Sequence, residues 1–297
     1  MAKTAIVSGA HYFLSPGGTT PRTPRVRPPA AYWQGVPVNS ADAERCADLA
    51  KRLASVRARV AAACAAADRD VAELTLIAVT KTYPAADVLD LASLGLADFG
   101  ENRDQEAAPK TAEVTAALTA SNRAPVRWHF IGQLQTNKAR HVAGYADVVH
   151  SVDRVRLARA LGTAARAAGR DLTCLVQVSL DPADADDLDA GGPDAGTRDA
   201  QERGGVPPAM LAQVAEAIEA EQGLVLGGLM AVAPLFTDPS EAFAPLRQLS
   251  DVIRSVNSSA TIVSAGMSGD LEAAVRNGAT HLRIGTALLG DRRPPVL

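Results

Sequence analysis

Cysteine is scarce in this chain. Cys46, Cys64 and Cys174 are odd in number, lie far apart and form no CxxC pair, so neither a disulfide framework nor a zinc site is indicated. Aromatic residues make up only 4% of the sequence, too few for a base-stacking surface. Neither sign of charge dominates: 30 basic and 33 acidic residues leave a formal net charge of −3, which offers nucleic acid no electrostatic footprint. No apolar run is long enough to cross a bilayer. His11, His129, His141, His150 and His281 show no HExxH or similar ligand spacing, so no metal is expected. These absences point to a reduced, cytoplasmic protein without nucleic-acid or membrane partners.

What is present is a large core. At 297 residues and 47% hydrophobic, the chain suits one large α/β domain or two small ones. Residues 1–39 carry Pro16, Gly17-Gly18, Pro21, Pro24 and Pro28-Pro29 with several arginines and no periodicity. They lack the basic region and cleavage site of a secretory signal, and read as a disordered N-terminal extension. Order is expected from Ser40, a helix N-cap, with Leu49, Leu53, Val56 and Val60 forming an apolar stripe.

Strand and helix signals then alternate. Strands are expected at 74–80, 96–99, 126–131, 148–150, 172–178, 224–230, 260–263 and 281–284. Helices are expected after each, among them 85–94, one from Glu101, 137–142, 153–168, 207–222, 240–256, 270–277 and 286–289. Residues 181–205 interrupt the rhythm with Asp181, Asp184, Asp186, Asp187 and Gly191-Gly192-Pro193, a mobile acidic Gly/Pro-rich loop. Eight strands alternating with helices over this length indicate a single-domain (β/α)8 TIM barrel with an extra N-terminal helix, spanning residues 40–292. An open doubly wound sheet is disfavoured, because the first strand ends in Thr80-Lys81-Thr82 and not in a glycine-rich turn.

Barrel active sites lie at the carboxyl ends of the strands, with phosphate often held by the loops after strands 7 and 8. Here those loops read Ser264-Ala265-Gly266-Met267-Ser268-Gly269-Asp270 and Arg283-Ile284-Gly285-Thr286, rich in glycine and hydroxyl donors. Lys81 closes the apolar run Leu74–Thr80 on the same face, where an amine can form a Schiff base with a carbonyl ligand. A ligand with both phosphate and aldehyde is implied, and pyridoxal 5′-phosphate (PLP) fits. A sugar phosphate held by an aldolase-type amine is the other candidate. Arg283 would face the pyridine nitrogen.

Seven ordered segments carry a family resemblance: Ala78–Thr82, Phe99–Asn102, Trp128–Lys138, His150–Asp153, Gly228–Met230, Gly266–Asp270 and Arg283–Ala287. With them the chain resembles the pyridoxal-phosphate homeostasis protein family, single-domain barrels similar to the N-terminal domain of alanine racemase (fold-type III). The resemblance covers residues 40–290. It implies that Lys81 carries PLP as a Schiff base, that Ser264, Gly266, Ser268, Gly285 and Thr286 cradle the phosphate, and that Arg283 meets the ring nitrogen. Asn102 and Met230 are implied near the ring. His129 reads equally as a pocket residue or as a satisfied core histidine, and Trp128 as packing. Two departures stand out. Ser179 replaces an asparagine usual in the family, and 181–205 replaces a shorter segment that commonly carries lysine.

The resemblance implies a PLP carrier that acts in vitamin B6 homeostasis, with apo PLP-dependent enzymes as possible recipients, and no catalytic residues. A PLP-dependent amino-acid racemase is the alternative. It would need an acid/base group opposite Lys81, which related racemases take from a separate β domain. This sequence ends soon after strand 8, and Tyr12, Tyr32, Tyr83 and Tyr145 are poorly placed to substitute. A monomer is expected, since the apolar stripe of the leading helix is needed to cover the barrel.

Overall fold

The computed structural model describes residues 40–181 and 204–290. The expected extension at 1–39 and residues 182–203 of the expected acidic loop lie outside the described residues. Within them the chain runs α1 (Ser40–Ala66), β1 (Thr75–Val79), α2 (Ala85–Ser93), β2 (Asp98–Glu101), α3 (Asp104–Ala120), β3 (Arg127–Phe130), α4 (Ala139–Tyr145) and β4 (Val148–Val152). It continues with α5 (Val155–Ala168), β5 (Leu172–Val178), α6 (Leu211–Glu219), β6 (Leu224–Ala231), α7 (Pro239–Phe243), α8 (Leu246–Val256), β7 (Ile262–Ser264), α9 (Leu271–Arg276), β8 (His281–Ile284) and α10 (Thr286–Leu289).

The eight strands form one closed barrel in sequence order. Every pairing is parallel, and β8 closes on β1 through Ile77↔Arg283 and Ala78↔Ile284. The (β/α)8 architecture read from the alternating pattern is the one observed. Phe99, Phe130, Leu157, Leu161, Leu211 and Ile253 are fully or almost fully buried in the main core cluster. A small second cluster of Val148, Leu175 and Met230 is separate from it.

α1 buries the stripe Leu49, Leu53, Val56 and Val60. It is pinned by Arg45, whose guanidinium makes two hydrogen bonds to Asp87 at 3.1 and 2.6 Å and a third to the Leu289 carbonyl. That ties the leading helix to α2 and α10 together.

Several element bounds shift from the sequence reading, the helix expected at 207–222 lying at Leu211–Glu219 and the strand expected at 260–263 at Ile262–Ser264, and two departures have a visible cause. The helix expected at 240–256 is two helices, α7 and α8, with Pro245 between them as the N-cap of α8; proline has no amide proton to continue the earlier helix and suits a helix start. The second strand lies at Asp98–Glu101 and the following helix starts only at Asp104. Pairing to Ile77–Val79 on one side and Arg127–Phe130 on the other sets that register.

Candidate functional site

At the carboxyl end of β1 the chain leaves the barrel through Thr80-Lys81-Thr82. Thr80 is fully buried, and its hydroxyl donates to Glu101 Oε1 at 2.7 Å. Lys110, reaching in from α3, donates to the Thr80 carbonyl at 2.8 Å, to Glu101 Oε1 at 2.8 Å and to Glu106 Oε1 at 2.9 Å. The Thr82 amide donates to the same Glu106 oxygen. Thr82 itself takes φ 68°, a left-handed conformation unusual for a β-branched residue. Lys81 is thus held between two anchored residues. It is half-buried and lines a cavity of about 160 Å³ with Thr82, Asn102, Arg103 and Glu106.

Burial pushes the Glu101 carboxyl up, and Lys110 and Thr80 oppose that shift. Asn102 follows β2 directly. A Cβ on Gly132 would fall 2.0 Å from the Asn102 carbonyl oxygen, so only glycine there lets the β3 loop close against Asn102.

The two loops expected to hold phosphate are tied to each other and to α1. The Ala287 amide donates to Ser268 Oγ at 3.3 Å, and Arg59 of α1 donates to the Ser268 carbonyl at 3.1 Å while pairing with Glu272. Gly266 takes φ +92°, and a Cβ there would meet the Ala274 methyl at 2.6 Å. Its carbonyl accepts from the Arg283 amide at 2.9 Å. Gly285 is different: a Cβ would meet nothing closer than Val79 at 3.7 Å. Its bareness leaves room beside the end of β1, two residues before Lys81. Thr286 is exposed.

Arg283 and Ser264 are buried in the barrel. The Arg283 guanidinium donates to Ser264 Oγ at 2.6 Å, to the Ser264 carbonyl at 2.7 Å and to the Ala231 carbonyl at 2.9 Å. Burial pushes its pKa down to about 10, still a cation at neutral pH. The Ser264 hydroxyl, matched above to the phosphate cradle, is occupied inside the barrel by Arg283 and His150. Met230 is buried against Val148 and Leu175, at the β6 position paired with Ser264. Asn137 is exposed on a short turn beside α4. Trp128 is buried with its ring 5.9 Å from that of Phe99.

His129 is a satisfied interior histidine. Its Nδ1 lies 2.9 Å from His150 Nε2 and its Nε2 lies 2.9 Å from Asp98 Oδ1. His150 Nδ1 in turn lies 2.9 Å from Ser264 Oγ. Asp98, Glu101, Glu106 and Lys110 escape a reading of the sequence; only the i,i+4 spacing of Glu106 and Lys110 could have flagged a pair.

A second cavity, about 410 Å³, opens at the opposite end of the barrel, walled by Val60, Leu74, Leu76 and Leu282 with Arg57 and Asp98. It is larger than the Lys81 cavity but faces the amino ends of the strands, the stabilising face of this fold. Lys81 and the glycine loops are at the other end.

This arrangement fits PLP: an amine at one strand end, a bare glycine turn beside it on the neighbouring strand, and a buried guanidinium below. The described cysteines are unpaired, and no described helix is long and apolar enough to cross a membrane.

The family model described as the alanine racemase N-terminal domain matches residues 52–293. The pyridoxal phosphate homeostasis protein of Mycobacterium tuberculosis is 43% identical over 263 residues, covering 86% of this chain and 96% of that protein. The protein of the same name from Escherichia coli K12 is 33% identical over 248 residues, covering 82% and 97%. The structure of PipY from Synechococcus elongatus with PLP bound superposes with a TM-score of 0.65 at 33% identity, covering 82% of this chain and all of that one. The chain belongs to the pyridoxal phosphate homeostasis protein family, built on the alanine racemase N-terminal barrel.

Proposed function

We propose that this protein binds PLP at the carboxyl-terminal mouth of the barrel and acts as a non-catalytic carrier in vitamin B6 homeostasis. The observation that carries the reading is the juxtaposition of Lys81 and Gly285. β1 and β8 are paired neighbours, and Gly285 lacks a side chain where one would fit against Val79. PLP supplies an aldehyde, a phosphate and a ring nitrogen.

Lys81 presents the amine that condenses with the aldehyde, forming a C=N bond and releasing one water. Gly266, Ser268, Gly285 and Thr286 offer backbone and hydroxyl donors to the phosphate. Arg283 holds a positive charge below the ring nitrogen and discourages its protonation. Asn102 and Met230 border the ring, and Ser264 acts on Arg283. PipY, whose whole length this chain covers, has a structure with PLP bound, and the M. tuberculosis and E. coli relatives are named for PLP homeostasis.

A carrier without obligatory turnover suits the tyrosines as well. Racemisation needs a second acid/base group facing Lys81. The Tyr83 hydroxyl donates to the Gly290 carbonyl at 2.7 Å, and Tyr145 ends α4 with burial pushing its hydroxyl pKa up. Recipients would be apo PLP-dependent enzymes, and the compartment the cytoplasm.

The experiment is to load the protein with PLP, then supply either L-alanine or an apo PLP enzyme. Activation of the apoenzyme without D-alanine formation is expected. Sustained D-alanine production at enzyme-like turnover would replace the carrier reading with the racemase one.

A further inference from the structure

Five side chains from five strands form a continuous hydrogen-bonded line through the barrel. Asp98 begins β2 at the amino-terminal mouth, and Ser264 ends β7 at the other. The links are Asp98 Oδ1 to His129 Nε2, His129 Nδ1 to His150 Nε2 and His150 Nδ1 to Ser264 Oγ, each 2.9 Å, then Ser264 Oγ to Arg283 Nη1 at 2.6 Å. His129, His150, Ser264 and Arg283 are each at least 95% buried, so water does not compete along the line.

The donors and acceptors admit one arrangement when both histidines are neutral. An ionised Asp98 only accepts, so His129 gives its one proton from Nε2. Its Nδ1 must then accept, so His150 donates from Nε2. His150 Nδ1 therefore accepts, and the Ser264 hydroxyl donates to it. That turns the Ser264 lone pairs toward Arg283, which can only donate. Every proton in the line points from the arginine end toward the carboxylate. Burial, with His129, Arg283 and His281 adding to it, holds the His150 pKa well below its ordinary value. At its far end Asp98 also meets Arg127 at 3.4 Å and borders the cavity at the amino-terminal mouth.

We propose that Asp98 is a positioning residue for the ligand site at the opposite mouth of the barrel, acting through His129, His150 and Ser264 on Arg283. The inference rests on the reading above that Arg283 serves the PLP ring. Without the carboxylate, His129 has no reason to keep its proton on Nε2. His150 can then turn its own proton toward Ser264, and the hydroxyl ceases to be a dedicated acceptor for Arg283. A carboxylate at the stabilising face of the barrel thereby sets the hydrogen bonding of the cation at the ligand face.

The test reads the relay before any PLP is added. Long-range ¹⁵N–¹H spectra of the full chain, assigned with His129→Gln and His150→Gln, report which nitrogen of each ring is protonated. Both histidines are expected as neutral Nε2–H forms. Asp98→Asn keeps an acceptor oxygen and should preserve these forms, whereas Asp98→Ala should mix them at both rings. PLP titration should then show affinity falling roughly tenfold in Asp98→Ala, the size of one lost hydrogen bond, with Asp98→Asn falling less. Should Asp98→Ala fail to fold, Ser264→Ala tests the other end: it removes the donor to His150 and should disturb the His150 form alone. A proton on His150 Nδ1 in the unsubstituted chain would overturn the relay, as would ring forms and affinity unmoved by Asp98→Ala. Failure of the unsubstituted chain to bind PLP would instead sink the functional reading, and the ring spectra would still decide the relay.

Discussion

The Lys110 ammonium lies 2.8 Å from Glu101 Oε1, with both side chains buried. The same ammonium bonds the Thr80 carbonyl, the last link before Lys81. A buried pair of this kind adds little net stability over an apolar core, but losing one partner leaves an uncompensated charge. Lys110→Met should therefore destabilise the protein by about 3–5 kcal/mol, and Lys110→Met with Glu101→Leu should recover much of the loss. Urea unfolding of both variants measures this. Equal loss in the single and the double variant would show that the pair carries no coupled charge.

Two glycines at the same mouth predict opposite kinds of damage. Gly266→Ala forces a Cβ onto Ala274 at 2.6 Å in a left-handed backbone, and should cost about 1–3 kcal/mol of stability. Gly285→Ala meets only an ordinary contact with Val79. Its stability should stay within about 1 kcal/mol of the parent, while its PLP affinity falls because the methyl occupies ligand space. Melting curves with PLP titrations separate the two effects. Unchanged PLP affinity in Gly285→Ala would argue that the phosphate sits elsewhere.

Acid should weaken the fold through interior histidines. Burial lowers the pKa of His150 and of His281, the latter from 6.5 to about 4. Below pH 6.5 the unfolded chain binds these protons and the native barrel does not, so stability is full above pH 6.5 and lost as pH falls toward 4. Each histidine contributes a slope of up to about 1.4 kcal/mol per pH unit in that window. Asp98, whose carboxyl is held low by His129 and Arg127 against the effect of burial, adds a loss at still lower pH. Urea midpoints at pH 7 and pH 5 should differ clearly, and less so in His281→Asn. Equal midpoints would contradict the neutral interior.

The barrel is legible in the sequence because parallel strands buried on both faces announce themselves as apolar runs such as Leu76–Val79. Strand ends are legible where chemistry interrupts the run, as at Lys81 and Gly285. Strand 2 is not, because the apolar Leu96, Ala97 and Phe99 pull the expected strand two residues early, and only pairing with β1 and β3 fixes its register. The Asp98 to Arg283 line is invisible in one dimension: its links join residues 31, 21, 114 and 19 positions apart. The local spacing rule that finds helical pairs has no counterpart for side chains meeting inside a closed barrel.

The most direct measurement is borohydride reduction of the PLP-treated protein followed by peptide mass mapping. The account predicts a pyridoxyl mass on Lys81 that disappears in Lys81→Ala, with the variant still folded. A label on another lysine, or none on a protein that keeps its native melting curve, would contradict it.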